Sequence, residues 1–330
     1  MEISVGRPKS RRTLVGLALA SSLIGPVWAD TFTGPVGKYY LDNLSNSTIY
    51  VVQGTSVVES FPMAYSSAYG EGVLAVSETI RTRARYLAGG DLAAGEYTLL
   101  GNPTGHSYST PLIPYSAFSV YDGTSDGTYN YFVDHNGGMG DQPGNGGVYR
   151  TDYYWQDPEL LFYPRFLCPE YQFGCQGVSG ISYDPTNNSL WISSKPDTWI
   201  ADYSLSGVLL AAFDTRIWDY RIYPPGFAGY NAALALDPAD HTLWLTSGGT
   251  NLLRQYSLDR ATFGDLLQMG TPSGLPGASS CEYCGPFVNA PYYESGEFRD
   301  AAPEPATFVL LLPVIAVIGF RIRSHARLSS

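Results

Sequence analysis

The sequence predicts an all-β exported domain, and three observations support this fold class. Tyrosine, glycine and proline are abundant, with 26, 36 and 23 residues in a chain of 330. No long segment rich in Ala, Leu, Glu and Lys occurs between the two ends, so the composition favours strands and turns over helices. In addition, a long motif is repeated in the middle of the chain, and both ends carry apolar segments of the kind that direct export.

The first 29 residues are predicted to be a secretory signal peptide. Four basic residues between positions 7 and 12 precede an apolar stretch that Gly25-Pro26 interrupts, and Ala29 supplies the small residue at the expected cleavage site. A first transmembrane helix is the alternative, but the Gly-Pro break and the polar sequence after Ala29 argue against it. Arg11-Arg12 also fits a twin-arginine motif, so the sequence leaves the general secretory and the twin-arginine translocons open as partners.

The C-terminal end carries a second targeting pattern. Its three features, in chain order, are the Pro303-Glu304-Pro305 triplet, an apolar segment at 307–320, and the basic residues Arg321 and Arg323. Only 15 residues separate Pro305 from Arg321, whereas a helix needs roughly 20 apolar residues to cross a membrane comfortably. The apolar segment is therefore predicted to be a short transmembrane helix that holds the chain temporarily, with the arginines inside and the body outside.

This C-terminal arrangement resembles the PEP-CTERM sorting signal of exported bacterial proteins. The triplet matches the motif itself, Thr307–Phe320 match its apolar segment, and the arginines match its basic end. The resemblance implies that an exosortase recognises residues 301–330 and cleaves near the triplet. It also implies delivery to the cell surface or the extracellular space of a bacterium that makes extracellular polysaccharide. The alternative is an ordinary tail anchor that a Pro-Glu-Pro triplet precedes by chance. A sorting signal by itself implies no enzymatic activity.

The body between the two signals, residues 30–300, is acidic and long enough for one large β domain. The end segments hold seven of the 19 Lys and Arg residues and two of the 30 Asp and Glu residues, which leaves 12 against 28 and a net charge near −16. Such a surface repels nucleic acid, so we expect no nucleic-acid partner.

Four cysteines lie in the body, at Cys168, Cys175, Cys281 and Cys284. An even number of cysteines in an exported chain predicts disulfides. Local pairing within each couple is the simplest connectivity, and pairing of the earlier couple with the later one stays open. A zinc site would require all four to converge, and the Cys-x-x-Cys pair lacks the βαβ pattern of a redox motif.

A repeat in the middle of the body predicts the architecture. Three motifs recur at a constant offset of 53 residues without a gap: Asp184-Pro185 as Asp237-Pro238, Leu190-Trp191 as Leu243-Trp244, and Tyr203-Ser204-Leu205 as Tyr256-Ser257-Leu258. Each copy is typical of three or four short strands, in which Asp-Pro begins a tight turn and Leu-Trp lies in the next strand. Repeated units of this kind predict a β-propeller, whose blades bury both faces only when they stack on neighbours.

Weaker copies extend the pattern, and five units are predicted between Lys38 and Met269. One contains Ala117–Gly138 with a turn at Asp126-Gly127, and its outer strands lie in VYRTDYYWQDPELLF. A sixth unit is predicted if the two chain ends pair, which gives about five or six blades. Trp191 and Trp244 are expected at equivalent positions, and the two clean copies resemble the blades of lactonase-like and NHL-like propellers. A β-sandwich with an accidental repeat is the alternative.

The polar residues form no recognisable catalytic motif. The four histidines are scattered, and the sequence contains no H-E-x-x-H, G-x-S-x-G or Walker-type loop. We therefore expect no catalytic residue and no cofactor, and we expect a non-catalytic propeller that binds exopolysaccharide or a cell-surface protein. The segment TDYYWQDPELLFYPRF suits sugar stacking, although its aromatic residues also suit packing between blades.

One enzymatic alternative stays open, a metal-dependent lactonase. The Glu-Gly segment at Glu71 resembles the first blade of gluconolactonase-type propellers, although Val73 stands where that family usually has proline. The resemblance implies a divalent cation on the propeller axis that polarises a lactone carbonyl, with Glu71, Asp134 and Asn231 as ligands. Oxygen ligands that converge on the axis would favour the lactonase, and a plugged apolar channel would favour the binding protein.

Overall fold

The computed structural model describes residues 31–43, 46–65, 71–84, 92–110, 120–134, 146–167, 178–194, 198–215, 231–247, 251–276 and 293–299. Twenty strands lie in these residues, arranged as five separate four-stranded antiparallel sheets. Among the described residues no helix has the length and apolarity needed to span a membrane. The predicted all-β fold class is confirmed for this part of the chain.

The strand bounds follow the alternating segments of the sequence. In chain order the strands are β1 (Tyr39–Asn43), β2 (Thr48–Gln53), β3 (Ser56–Pro62), β4 (Glu71–Val76), β5 (Ile80–Ala84), β6 (Leu92–Tyr97), β7 (Pro103–Thr110), β8 (Val120–Ser125), β9 (Asn130–Asp134), β10 (Val148–Thr151), β11 (Glu159–Phe162), β12 (Val178–Asp184), β13 (Ser189–Ser194), β14 (Trp199–Ser204), β15 (Leu209–Asp214), β16 (Asn231–Asp237), β17 (Thr242–Ser247), β18 (Leu253–Ser257), β19 (Leu266–Gly270) and β20 (Tyr293–Phe298).

Four of the sheets are meanders of consecutive strands, and we number them as blades. Blade 2 contains β4 to β7, blade 3 contains β8 to β11, blade 4 contains β12 to β15, and blade 5 contains β16 to β19. The first strand of each blade contacts the first strands of the neighbouring blades, so these strands line a common axis. The arrangement is a β-propeller with five blades.

Blade 1 joins the two ends of the described chain. Its strand order is β20-β1-β2-β3, and Tyr39 of β1 pairs with Phe298 of β20. The N-terminal segment supplies only the three outer strands, so the innermost strand has to come from the far end of the domain. The predicted pairing of chain ends is therefore confirmed, but it completes the first of the five units and does not add a sixth.

The repeat predicted from the sequence corresponds to blades 4 and 5. Trp191 lies in β13 opposite Ser182 and Asp202, and Trp244 lies at the equivalent place in β17 opposite Ala235 and Gln255. The Asp-Pro turns also behave as predicted, because the first carboxylate accepts the Thr186 N–H at 2.8 Å and the second accepts the Ala239 N–H at 2.9 Å. The predicted equivalence of the two tryptophans is confirmed.

Five apolar clusters fill the five junctions between neighbouring blades. At three junctions, a phenylalanine from the outermost strand of one blade packs on a glycine in the last turn of the next. Gly207 and Gly264 have φ of +81° and +79°, and a Cβ at either would lie 2.7 Å from Phe162 or Phe213. Any larger residue there would clash with the ring and strain the backbone. The third pair is Phe61 with Gly101.

A buried carboxylate in blade 4 makes the stability of the propeller depend on pH. Asp202 is 2% exposed, and burial raises its pKa to about 6, an effect that a Ser189 hydrogen bond opposes and the nearby Asp184 charge reinforces. The ordinary value is about 3.9. The folded state therefore binds more protons than the unfolded state between about pH 4 and pH 6, and stability falls as pH rises through that window.

We expect Asp202→Asn to stabilise the protein at pH 7 by about 1 to 3 kcal/mol, because the variant removes a charge that burial disfavours. At pH 3 the variant and the parent should be nearly equally stable, since the parent side chain is then largely protonated in both states. Urea denaturation at the two pH values measures the difference. Asp259→Asn, at an exposed position, is the matched control and should change neither midpoint. Equal stabilities of Asp202→Asn and the parent at pH 7 would contradict the prediction.

Candidate functional site

The innermost strands of the propeller converge on Asp122, a fully buried residue of β8. Its carboxylate accepts five hydrogen bonds from Gly123 N (3.0 Å), Ser295 Oγ (2.7 Å) and Gly296 N (3.1 Å) at one oxygen, and from Ile181 N (3.1 Å) and Leu234 N (3.0 Å) at the other. The donors belong to blades 3, 1, 4 and 5. One side chain therefore links the innermost strands of four blades at the axis.

Ser295 extends this contact to the remaining blade. Its hydroxyl accepts the Leu74 N–H of blade 2 at 2.9 Å and donates its own proton to Asp122. All five blades are thus connected at the axis, four directly and one through a hydroxyl group.

Each inner strand is an edge of its sheet, so it leaves backbone N–H groups unpaired on the side of the axis, and its pairing is also irregular. The pairing shifts between Glu71 and Val73 in β4, Val120 and Gly123 in β8, Val178 and Gly180 in β12, Ala232 and Ala235 in β16, and Leu41 and Asn43 where β1 pairs with β20. Such bulges leave backbone N–H groups outside the regular ladder. In β16 the bulge holds Ala233 at φ 48°, and the Tyr39 hydroxyl donates to its carbonyl.

Asp122 is held as an acceptor. Burial raises the pKa of Asp122 well above its ordinary value, and the hydrogen bonds from Ser295, Ile181, Gly296 and Gly123 act in the opposite direction. Each of the five partners named above is a donor, so the geometry fits the carboxylate. Without it, each buried donor would lose its acceptor at a cost of about 1 to 3 kcal/mol. The axis is therefore plugged, but the plug is polar rather than apolar.

The cation site predicted from Glu71, Asp134 and Asn231 stays a prediction, because the side chains of Glu71 and Asn231 lie outside the part of the chain that the structure describes. Glu71 and Asn231 are the first residues of the inner strands β4 and β16, and Asp134 ends β9, opposite Val120. No group of three His, Cys, Asp or Glu side chains suited to a metal occurs among the described residues.

Asp134 lies beside a buried arginine. Burial lowers the pKa of Arg83 to about 9, and the charge of Asp134 works against this shift. The guanidinium also lies 4.2 Å from the centroid of the Phe132 ring. Asp134 therefore stabilises a buried cation of the chain itself at the junction of blades 2 and 3.

The outer rim carries a groove of about 400 Å³ between blades 3 and 4. Its walls come from the segment that follows β11 and from the end of β14 with the turn after it. Its lining includes Tyr163, Arg165, Phe166, Tyr203, Ser206 and Leu209. A volume of this size lies within the range of roughly 300 to 1,000 Å³ that is typical of ligand sites.

The groove presents aromatic rings whose backbone is fixed. Phe166 is 45% exposed and Trp199 is 37% exposed, and their rings meet edge to face at a centroid distance of 5.2 Å. The Phe166 N–H donates to the Tyr203 hydroxyl at 3.2 Å, and Leu167 anchors the segment in the core. Exposed aromatic rings on an ordered segment are suited to stacking against a flat apolar face of a ligand.

The aromatic segment that the sequence singled out divides into two parts. Trp155 is completely buried between blades 2 and 3, against Phe132. Tyr163 and Phe166, later in the same segment, are exposed at the groove. One part of the segment therefore packs between blades, and another part exposes aromatic rings at the groove. The sequence had left both uses open.

The remaining predicted site residues lie outside the described residues. They are Ala29, the cysteines Cys168, Cys175, Cys281 and Cys284, the triplet Pro303, Glu304 and Pro305, and the basic residues Arg321 and Arg323. Signal-peptide cleavage, the disulfides, the short C-terminal helix at 307–320 and the sorting signal stay predictions.

Comparison with known proteins does not identify a family for this chain. No protein-family model matches the chain, and no curated protein matches it. A nidogen/laminin complex is 11% identical over 66% of this chain and 73% of that chain, with a TM-score of 0.42. A luciferin-regenerating enzyme is 10% identical over 74% and 78%, with a TM-score of 0.41. A protein of unknown function from Bacteroides caccae is 11% identical over 75% and 77%, with a TM-score of 0.38. These distant likenesses carry no argument about function.

Proposed function

We propose that the protein is an exported, exosortase-sorted surface or matrix protein whose propeller binds a polysaccharide without catalysing a reaction. The observation that carries the binding function is the groove between blades 3 and 4, with the exposed ring of Phe166 on its wall and the exposed ring of Trp199 packed against Phe166. The end segments support export and sorting, because their residue patterns resemble a signal peptide and a PEP-CTERM signal.

The chemistry of the groove suits a chain of neutral sugars. Phe166 and Tyr163 offer apolar rings on the wall, and the exposed Trp199 ring packs edge to face against Phe166. Arg165 and Ser206 offer polar groups beside them. A pyranose ring has the same division, since it carries C–H groups on its faces and hydroxyl groups on its edge. The body has a net charge near −16, from 12 basic and 28 acidic residues, so long-range electrostatics oppose a polyanion.

The axial geometry does not favour the lactonase alternative. A gluconolactonase-type reaction requires oxygen ligands that are free to hold a cation on the axis. Here both oxygens of Asp122 accept hydrogen bonds from backbone amides and Ser295. The ligand is therefore expected to bind in the groove on the rim and not at the axis.

We expect Phe166→Ala and Trp199→Ala to weaken polysaccharide binding about tenfold each, because loss of an aromatic contact costs about 1 to 1.5 kcal/mol. Affinity electrophoresis and titration calorimetry measure this effect, with the full-length exported protein and neutral and uronic-acid-containing polysaccharides from the host as probes. Tyr129→Ala is the matched control, since Tyr129 is 40% exposed and lies away from the groove lining. It should leave the affinity unchanged and lower the Tm only slightly, because its ring contacts the Arg150 guanidinium at 4.6 Å.

Three results would argue against parts of this proposal. Unchanged affinity in both groove variants would move the binding site elsewhere. Tighter binding of the uronic-acid polymer would reject the preference for neutral sugars. If the parent protein binds neither class of polymer, the polysaccharide-binding function itself is wrong.

A further inference from the structure

The axis of the propeller has the properties of an anion site. Four backbone N–H groups, from Gly123, Ile181, Leu234 and Gly296, point at one carboxylate over distances of 3.0 to 3.1 Å. They come from four different blades, and a fifth N–H, that of Leu74, reaches the same carboxylate through Ser295. Converging backbone N–H groups form anion-binding concavities in many proteins.

The hydrogen bonds at the axis favour a negatively charged occupant, and burial acts in the opposite direction. The Ser295 hydroxyl accepts the Leu74 N–H, so its own proton is available for Asp122. The remaining partners are backbone N–H groups, which only donate. A protonated carboxyl or a neutral amide in the same place would turn a donor toward other donors, and one of these groups would lose its partner.

The carboxylate that fills this site belongs to only one of the five inner strands. Asp122 belongs to β8, whereas Ile181, Leu234 and Ser295 belong to β12, β16 and β20. Most of the site is therefore built by backbone that does not depend on the identity of residue 122. The unpaired edge of each inner strand supplies these N–H groups.

We propose that the five inner strands assemble an axial site for a small carboxylate anion, and that Asp122 is the built-in occupant of this site. It follows that a free carboxylate of similar size can take the place of the side chain when residue 122 lacks one. The propeller then closes around a bound ion instead of a covalently attached group. This site is separate from the groove on the rim and does not depend on the function proposed for the groove.

Asp122→Ala tests the proposal with sodium formate as the probe, in the full-length exported protein. We expect the variant to have a lower Tm than the parent. Formate should raise that Tm in proportion to the logarithm of its concentration once the site is saturated, because ligand binding to the folded state alone stabilises it. Formamide, a neutral molecule of nearly the same shape, is the matched control at equal concentration. The parent should respond to neither, since its site is filled.

A variant that fails to fold in plain buffer is tested by refolding from urea into formate or into formamide. Recovery of cooperative unfolding only in formate supports the proposal. Equal recovery in both, or in neither, overturns it.

Asp122→Asn tests the charge without opening a cavity. We expect this variant to be strongly destabilised, because its amide N–H₂ group would face N–H donors. Asp259→Asn, at an exposed position, controls for removal of one acidic charge. If Asp122→Asn is as stable as the parent, the axis requires only a polar group of that size, and the anion site is rejected.

Discussion

A chain that ends at residue 292 is expected to lose the entire propeller and not only one strand. The truncation removes β20, the innermost strand of blade 1, together with the buried side chains of Tyr293 and Phe298. Truncation of a large buried aromatic residue costs about 3 to 5 kcal/mol, and two of them approach the total stability of a typical domain, about 5 to 15 kcal/mol. Ser295 and Gly296 are lost as well, so Asp122 would keep its charge without two of its donors.

Near-ultraviolet circular dichroism and thermal unfolding measure this loss. The matched control is a chain that ends at residue 299, which lacks only the residues after β20. We expect the longer chain to unfold cooperatively and the shorter one to show no cooperative transition. A cooperative transition of the shorter chain near the Tm of the longer one would mean that closure by β20 contributes little.

Replacement of Pro303, Glu304 and Pro305 by alanine is expected to abolish C-terminal processing. Under the proposed sorting route, the apolar segment still inserts, but the processing enzyme loses the motif and the extended backbone that the prolines enforce. The full-length form should therefore accumulate in the cytoplasmic membrane. Membrane fractionation and C-terminal peptide mapping in an exosortase-bearing host measure the outcome.

Two further variants separate the parts of the proposed signal. Deletion of Thr307–Phe320 should release the protein in soluble form, because insertion depends on the apolar segment. Replacement of Arg321 and Arg323 by serine should weaken retention, because the arginines fix the cytoplasmic side. If the triple-alanine variant is processed and released like the parent, the triplet is not a sorting signal and the tail is a plain anchor.

Local sequence was sufficient to predict those parts of the fold that are encoded by local chemistry. The Asp126-Gly127 turn is an example, because Asp126 accepts the N–H groups of Thr128 and Tyr129, and Gly127 has φ +85°. The constant offset of 53 residues correctly predicted equivalent positions for Trp191 and Trp244. This worked because each repeat folds as one meander of consecutive strands. The number of blades was less certain, because it depends on which distant strand completes blade 1.

The axial carboxylate escaped prediction because nothing near it in the sequence marks it. Asp122-Gly123 has the same two residues as the Asp126-Gly127 turn four positions later. What distinguishes Asp122 is the approach of Ile181, Leu234 and Ser295, which lie between 59 and 173 residues away. A residue defined by such distant contacts cannot be identified from its neighbours in the chain.

The sequence did not predict the groove, and it singled out only an aromatic segment that forms part of the groove wall. Its aromatic segment was noted, but the sequence did not separate Trp155 from Phe166. The difference lies in the backbone, because Trp155 has φ +62° and its ring turns into the junction with blade 2. Phe166 instead follows the end of β11 and remains on the surface. Backbone conformation of this kind in a residue other than glycine has no clear sequence signature.

The pairing of Tyr39 with Phe298 brings both ends of the domain to blade 1. In a ring of five blades, the junction between the third and fourth lies directly across from the first. Because β20 is the innermost strand of blade 1, the chain leaves the described domain beside the axis, whereas the groove lies on the rim. Under the proposed function, the C-terminal segment would hold the propeller near its axis during sorting. The polymer would then bind about one ring radius away, so attachment would leave the groove open.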